Sequence, residues 1–127
     1  MLTINHLLEM KKLFILSFVL LSTLCYSQAE ETGKAFITTL FGKKDMAKSI
    51  TYLDATISSE LTKENLGEII QQIEGQLGKF KSIISVKKEG SVFYYYSDFE
   101  KAKIDIQLSF TEANKINGFY FVPHEEK

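Results

Sequence analysis

The sequence predicts an α+β domain in which N-terminal helices pack on an antiparallel sheet. Two observations support this prediction. Apolar residues recur with a helical period from residue 30 to residue 77, whereas from Phe80 onward the period is two and the residues become β-branched and aromatic. Gly78 lies where the period changes. We therefore expect two or three N-terminal helices packed on a curved antiparallel sheet of about four strands.

Three helical segments are predicted before Gly78. The first runs from Glu30 to about Lys43, and the second, residues 44–53, has Asp45 at its positive N-terminal end. Residues 54–60 are mostly polar and predict a connection. Thr62 is placed to cap the third helix, whose apolar stripe is Leu66, Ile69, Ile70, Ile73 and Leu77.

Turn-forming residues divide the rest of the chain into four strands. Lys88-Glu89-Gly90 predicts a first turn that pairs Val86 with Val92, and Glu100-Lys101-Ala102 predicts a second turn. This register places two tyrosines of the second strand, Tyr94 and Tyr96, on the inner face.

The third strand has the clearest alternation. A third turn at residues 112–114 is predicted because Asn114 tolerates the left-handed conformation. It would set Gly118 opposite Leu108 and Tyr120 opposite Ile106. The inner face of this strand would then carry Ile104, Ile106, Leu108 and Phe110.

The N-terminus resembles an export signal. Met10-Lys11-Lys12 precedes an apolar run from Leu13 to Leu24, which is shorter than the ~20 residues needed to span a bilayer. We expect residues 1–27 to be a signal peptide with its preceding n-region, cleaved between Ser27 and Gln28, and residues 28–127 to be a single secreted or periplasmic domain without a membrane anchor. Lipid attachment at Cys25 is the alternative.

Composition excludes several function classes. Residues 28–127 contain thirteen lysines, fifteen acidic residues, no arginine and no cysteine. A slightly acidic domain without arginine is poorly suited to bind nucleic acid. A domain without cysteine forms no disulfide and no thiolate metal site. We therefore expect no nucleic acid partner, no cofactor and no bound metal.

The chain resembles a family of unknown function. The residues that carry the resemblance are Leu61-Thr62, Gly78-Lys79-Phe80-Lys81-Ser82-Ile83, Phe99-Glu100-Lys101-Ala102-Lys103-Ile104 and Lys115-Ile116-Asn117-Gly118-Phe119. Their order is similar to that of the bacterial domain-of-unknown-function family 3887 (DUF3887), within the cone-shaped nuclear transport factor 2-like superfamily. The resemblance implies a pocket between helices and sheet, and it implies no catalytic residues.

Our first hypothesis is a non-catalytic domain that binds a small apolar ligand in this pocket or a protein partner on the outer sheet face. A homodimer is left open as well. The outer face would present the aromatic residues Phe93, Tyr95, Phe119 and Phe121. The predicted ligand-binding residues are Phe36, Leu40, Tyr94, Tyr96, Ile106, Leu108, Gly118 and Tyr120.

The alternative hypothesis is a small isomerase-like or hydrolase-like enzyme. Asp98 would act as an acid or base together with the phenol of Tyr94 or Tyr120. The two histidines, His6 and His124, lie ahead of the signal core and in the C-terminal tail, so the sequence predicts no role for either. No catalytic residue is therefore assigned under the first hypothesis.

Overall fold

The computed structural model describes residues 28–125, and the predicted signal peptide lies outside them. In the described part of the chain, helices precede a four-stranded sheet. Helix α1 covers residues 28–37 and continues as a π-helical turn, Thr38–Gly42. The remaining elements are α2 (Met46–Ile50), α3 (Ala55–Ser58), α4 (Lys63–Leu77), β1 (Phe80–Glu89), β2 (Val92–Phe99), β3 (Lys103–Phe110) and β4 (Ile116–Val122).

The helix caps follow the polar residues of the sequence. The Thr62 side chain accepts a hydrogen bond from the Asn65 N–H, which confirms Thr62 as the N-cap of α4. Asp45 caps α2 by accepting from the Lys48 N–H. Gly78, at the C-terminal end of α4, has a φ of 80°, a value that favours glycine.

The prediction of a plain connection at residues 54–60 is wrong, because the short helix α3 forms there. The Asp54 carboxylate accepts hydrogen bonds from both the hydroxyl and the backbone N–H of Thr56. These bonds lower the pKa of Asp54 below its usual value. An aspartate in this position caps a helical turn, and the sequence interpretation missed it.

The strands are antiparallel and lie in the order β1-β2-β3-β4. This confirms the predicted α+β class and the four-stranded sheet. The start of β4 is bonded to the segment before α3: the Ile116 N–H donates to the Tyr52 carbonyl, and the Asp54 N–H donates to the Ile116 carbonyl.

The predicted register of the first hairpin is wrong. Glu89 pairs with Val92, and Val86 pairs with Tyr95 rather than with Val92. The loop is only two residues long, Gly90 and Ser91, and Gly90 has a φ of 61°. A two-residue loop with glycine first fits the twist of a hairpin better than the three-residue loop that was predicted.

The predicted inner face of β2 is also wrong. Asp98 pairs with Lys103, whereas a three-residue turn at residues 100–102 would pair Phe99 with Lys103, and Tyr95 lies opposite Ile106. Because a slip of one residue moves every side chain to the other face, the inner residues are Phe93, Tyr95, Ser97 and Phe99. The residues on the opposite, open face are Val92, Tyr94, Tyr96 and Asp98.

A β-bulge shifts the register of β4. Phe110 pairs with Ile116 as predicted, but Gly118 pairs with Ser109 rather than with Leu108. The extra residue is Asn117, whose side-chain oxygen accepts a hydrogen bond from the Ser109 hydroxyl. The bulge turns Tyr120 to the open face and places Phe119 and Phe121 on the inner face, so the predicted outer patch of aromatic residues is absent from residues 28–125.

Tyr95 joins β2 to α1. Its side chain is fully buried, and its hydroxyl donates to the Glu30 carbonyl at 3.0 Å. A side-chain carbon on Gly33 would overlap the Tyr95 ring and hydroxyl, so α1 approaches the sheet closely only because residue 33 is glycine. Burial, with the nearby Glu30 and Glu31, raises the pKa of the Tyr95 phenol.

We predict opposite effects for two glycine substitutions. Gly33→Ala should destabilise the domain by about 1–3 kcal/mol, because the new methyl group overlaps Tyr95. Gly75→Ala, in α4, should stabilise it by up to ~1 kcal/mol, because open space surrounds that position and alanine is the better helix former. Urea unfolding of both variants checks this. Equal stabilisation by both would contradict the packing described here.

We also predict a loss of stability in alkali that depends on Tyr95. The folded state raises the pKa of this phenol, so only the unfolded chain ionises readily once the pH exceeds about 10. The contribution of Tyr95 to stability is therefore complete below about pH 10 and falls as the pH rises further. Unfolding measured from pH 8 to pH 11 should show a smaller decline in Tyr95→Phe than in the parent. Identical declines would contradict the burial of the phenol.

Candidate functional site

The structure divides the predicted ligand-binding residues into two groups on opposite sheet faces. Phe36, Leu40, Ile106 and Leu108 lie together between the helices and the sheet, and each is 0 % exposed. The other four, Tyr94, Tyr96, Gly118 and Tyr120, lie on the open face. A single site cannot use both groups.

The inner group belongs to the hydrophobic core. Phe36 packs edge-on against Phe119, with ring centroids 5.2 Å apart, and Phe41 packs in the same way against Phe99 and Phe121. Such close contacts are those of a filled interior. The side chains that were predicted to line a pocket therefore pack against one another.

The open face carries a groove of about 580 Å³, which we call the tail groove. Strands β1, β2 and β3 form its floor, and the segment that follows β4 forms one wall. The residues that line it are Ser85, Lys87, Glu89, Tyr94, Tyr96, Asp105, Gln107, Val122, Pro123, His124 and Glu125. Tyr94 and Tyr96 are thus the predicted site residues that the groove contains.

His124 contacts two residues of the floor of the tail groove. Its ring stacks on Tyr96 with centroids 3.7 Å apart and planes 10° apart. Its Nδ1 lies 2.8 Å from the Asp105 Oδ1. An ionised carboxylate only accepts hydrogen bonds, so the Nδ1–H tautomer of His124 donates to Asp105.

Asp105 is a carboxylate that the fold has largely removed from water. It is 6 % exposed, although it lies on the open face, because the tail covers it. A buried carboxylate is costly unless it is paired and hydrogen-bonded. The contact with His124 satisfies this requirement.

The remaining floor residues give the tail groove both charges and neutral hydrogen-bonding groups. Lys87 and Glu89 form an ion pair of 3.5 Å along β1. This pair is partly exposed, so it contributes little to stability. The amide of Gln107, the hydroxyl of Ser85 and the phenol of Tyr94 complete a surface that can bind a partly polar molecule.

Asp98, the predicted acid or base of the enzyme hypothesis, lies outside the tail groove. It is half-buried and pairs with Lys103, next to the connection between β2 and β3. Asp98 and Tyr94 lie four positions apart along the strand, which corresponds to roughly 13 Å. Tyr120 is 61 % exposed. It pairs with Gln107, which lies four positions along β3 from Lys103, the partner of Asp98. The groove is lined by three carboxylates, Glu89, Asp105 and Glu125, and Asp105 is the buried one.

Sequence reasoning missed Asp105, Gln107 and His124. Asp105 and Gln107 lie on the side of β3 opposite the predicted inner face, as the alternation of that strand implies, but the sequence predicted a role for neither residue. A signal was available in Pro123, which cannot extend the ladder of β4 and therefore directs the following histidine away from the strand. The contact itself depends on the fold.

A second groove, of about 470 Å³, runs between α1 and β1. Its polar residues on the helix side are Glu30, Lys34 and Thr38. Within residues 28–125, no group of three or more histidine, cysteine and acidic residues is arranged to hold a metal ion. The helices of that same range include none that is long and apolar enough to cross a membrane.

Comparison with known proteins identified a family that this chain matches. The model of a family described as protein of unknown function (DUF3887) matches residues 34–119, from within α1 to within β4. The tail residues Pro123 and His124 lie beyond the matched segment. No curated protein and no solved structure matched the chain significantly. The wider nuclear transport factor 2-like placement stays a prediction. Since the match covers more than half of the 127 residues, this protein belongs to the DUF3887 family.

Proposed function

We propose that this protein is an exported, non-catalytic binding domain that holds a small, partly polar ligand in the tail groove. The observation that carries the proposal is the groove itself. Its volume of about 580 Å³ falls within the range of small-molecule sites, and its floor combines aromatic rings with hydrogen-bonding groups.

The filled interior supports a site on the open face rather than between helices and sheet. Phe36 and Leu108 are fully buried there, and displacing such side chains to admit an apolar ligand would cost their packing energy. Ligand binding on the open face requires no such rearrangement. A protein partner or a second copy docked on the same face stays a separate proposal.

The geometry favours binding over the predicted enzymatic mechanism. A general acid or base must lie within hydrogen-bond reach of the group that it serves. Asp98 and Tyr94 lie four positions apart on β2, or roughly 13 Å, and Asp98 does not line the tail groove. Asp105 is paired with His124, but no serine hydroxyl in residues 28–125 is hydrogen-bonded to this histidine.

The packing of the first residues of α1 is compatible with cleavage before Gln28. Ala29 is buried in the core, and the Glu30 carbonyl accepts the bond from Tyr95. Cleavage between Ser27 and Gln28 would retain both residues in the mature domain, so export and folding are compatible.

We predict that ligand binding depends on Tyr94 and not on Tyr120. A thermal-shift screen of residues 28–127 against nucleosides, amino acids, sugars and fatty acids should identify a stabilising ligand. Tyr94→Ala, at the floor of the groove, should weaken its binding by about tenfold or more. Tyr120→Ala is the matched control, because it removes an exposed tyrosine from the same sheet face outside the groove.

Two results would contradict this proposal. Equal affinity for Tyr94→Ala and the parent would place the ligand elsewhere. A ligand that loses affinity on Phe36→Leu but not on Tyr94→Ala would restore the predicted site in the interior.

Export is tested by expressing the full chain in a bacterium that secretes through the general pathway. We expect the periplasmic or secreted product to have the mass of residues 28–127. Cys25→Ser should leave this processing unchanged, whereas lipid attachment at Cys25 would be abolished by the same substitution. Leu20→Arg, which interrupts the apolar run, should retain the full-length chain inside the cell. An unprocessed parent in the cytoplasm would refute export.

A further inference from the structure

Tyr96 and Asp105 form a ready-made contact surface for a flat heterocycle. They are directly opposite each other on β2 and β3, so their side chains project from the same face within about 5 Å of each other. Tyr96 offers an aromatic face, and Asp105 offers a carboxylate that accepts hydrogen bonds. His124 uses both at once, by stacking on the first and donating to the second.

The residue that occupies this surface comes from the end of the chain rather than from the sheet. Val122 is the last residue of β4 and pairs with Asp105. Pro123 then ends the ladder, because it has no N–H to donate. The His124 ring is consequently held by its stack and one hydrogen bond, while the strands beneath it are held by their ladders.

We propose that Tyr96 and Asp105 form a subsite for a planar heteroaromatic ring with an N–H donor, and that His124 fills this subsite as an internal substitute for the ligand. The inference rests on the proposed function of the tail groove and names the chemical class of its ligand. Binding exchanges one ring for another: the His124 side chain leaves the subsite, the ligand stacks on Tyr96, and its N–H donates to Asp105.

The exchange explains how the site would select its ligand. A ring without an N–H would cover the Asp105 carboxylate without pairing it, which costs about tenfold or more in affinity. Substituents on the ring would extend along the groove toward Gln107 and Tyr94. The tail competes with free ligand as a tethered ring, at an effective concentration of millimolar order.

The test uses imidazole as the probe and residues 28–127 as the protein, since these contain every element of the described structure. At pH 9 imidazole is neutral and keeps one N–H, whereas 1-methylimidazole has none. Binding is followed by NMR through the backbone amide signals of Tyr96 and Asp105. In His124→Ala, where the subsite is vacated, imidazole should bind saturably and at least about tenfold more tightly than in the parent.

Asp105 is tested through selectivity. In His124→Ala, imidazole should bind about tenfold or more tightly than 1-methylimidazole. In the double variant His124→Ala, Asp105→Ala this preference should disappear, because neither ring then has a carboxylate to pair with. Absence of saturable binding to His124→Ala, or equal binding of the two rings to it, would overturn the proposal.

The folding of the variants is checked by the dispersion of the same NMR spectra. A chain that ends at Val122 is the second vacated form and should give the same result. If neither form folds, the tail is a structural element that no ligand displaces, and the proposal is wrong. If both fold without binding imidazole while another ligand still binds in a Tyr94-dependent way, the ring subsite is wrong and the binding function of the groove stands.

Discussion

The packing of Tyr95 into the space left by Gly33 determines which face of the sheet meets the helices. The Tyr95 ring lies where a side chain at residue 33 would be, and its hydroxyl is bonded to the backbone of α1. Side chains alternate along a strand, so an inward Tyr95 directs Tyr94 and Tyr96 outward. Residues that pair across strands point to the same face, so Ile106, opposite Tyr95, lies inward and Asp105, opposite Tyr96, lies outward.

If the C-terminal tail did not cover them, the outward side chains of β2 and β3 would form an ordinary solvated sheet face. Asp105 and Tyr96 are neighbours on that face, and His124 covers both. The tail adds one wall to a flat surface and turns it into a groove with a buried carboxylate. The candidate site is therefore a consequence of two separate events, the inward packing of Tyr95 and the return of the tail across the sheet.

Much of the fold could be predicted because local interactions determine it. The cap at Thr62 depends on a hydrogen bond three residues away, and the positive φ values of Gly78 and Asn114 depend on what those residues tolerate. Helical and strand periods are likewise local. The number of strands and their order followed from these signals.

The sheet faces could not be predicted from the same signals. Strand β2 carries aromatic residues on both faces, so the pattern does not indicate which face lies inward. The length of the flanking loops decides it. Ser97 is polar, yet its hydroxyl donates to the Tyr95 carbonyl and it is fully buried. The bulge at Asn117 and the contact between Asp105 and His124 both join side chains that only the folded chain brings together.

The orientation of Tyr95 is tested most directly by NMR on the unmodified domain. The ring protons of Tyr95 should show strong nuclear Overhauser effects to the α protons of Gly33, and the rings of Tyr94 and Tyr96 should show none to Phe36 or Leu40. Contacts from Tyr94 or Tyr96 to those two core residues would mean that the opposite sheet face packs on the helices and that the groove residues lie in the interior. That result would contradict this account.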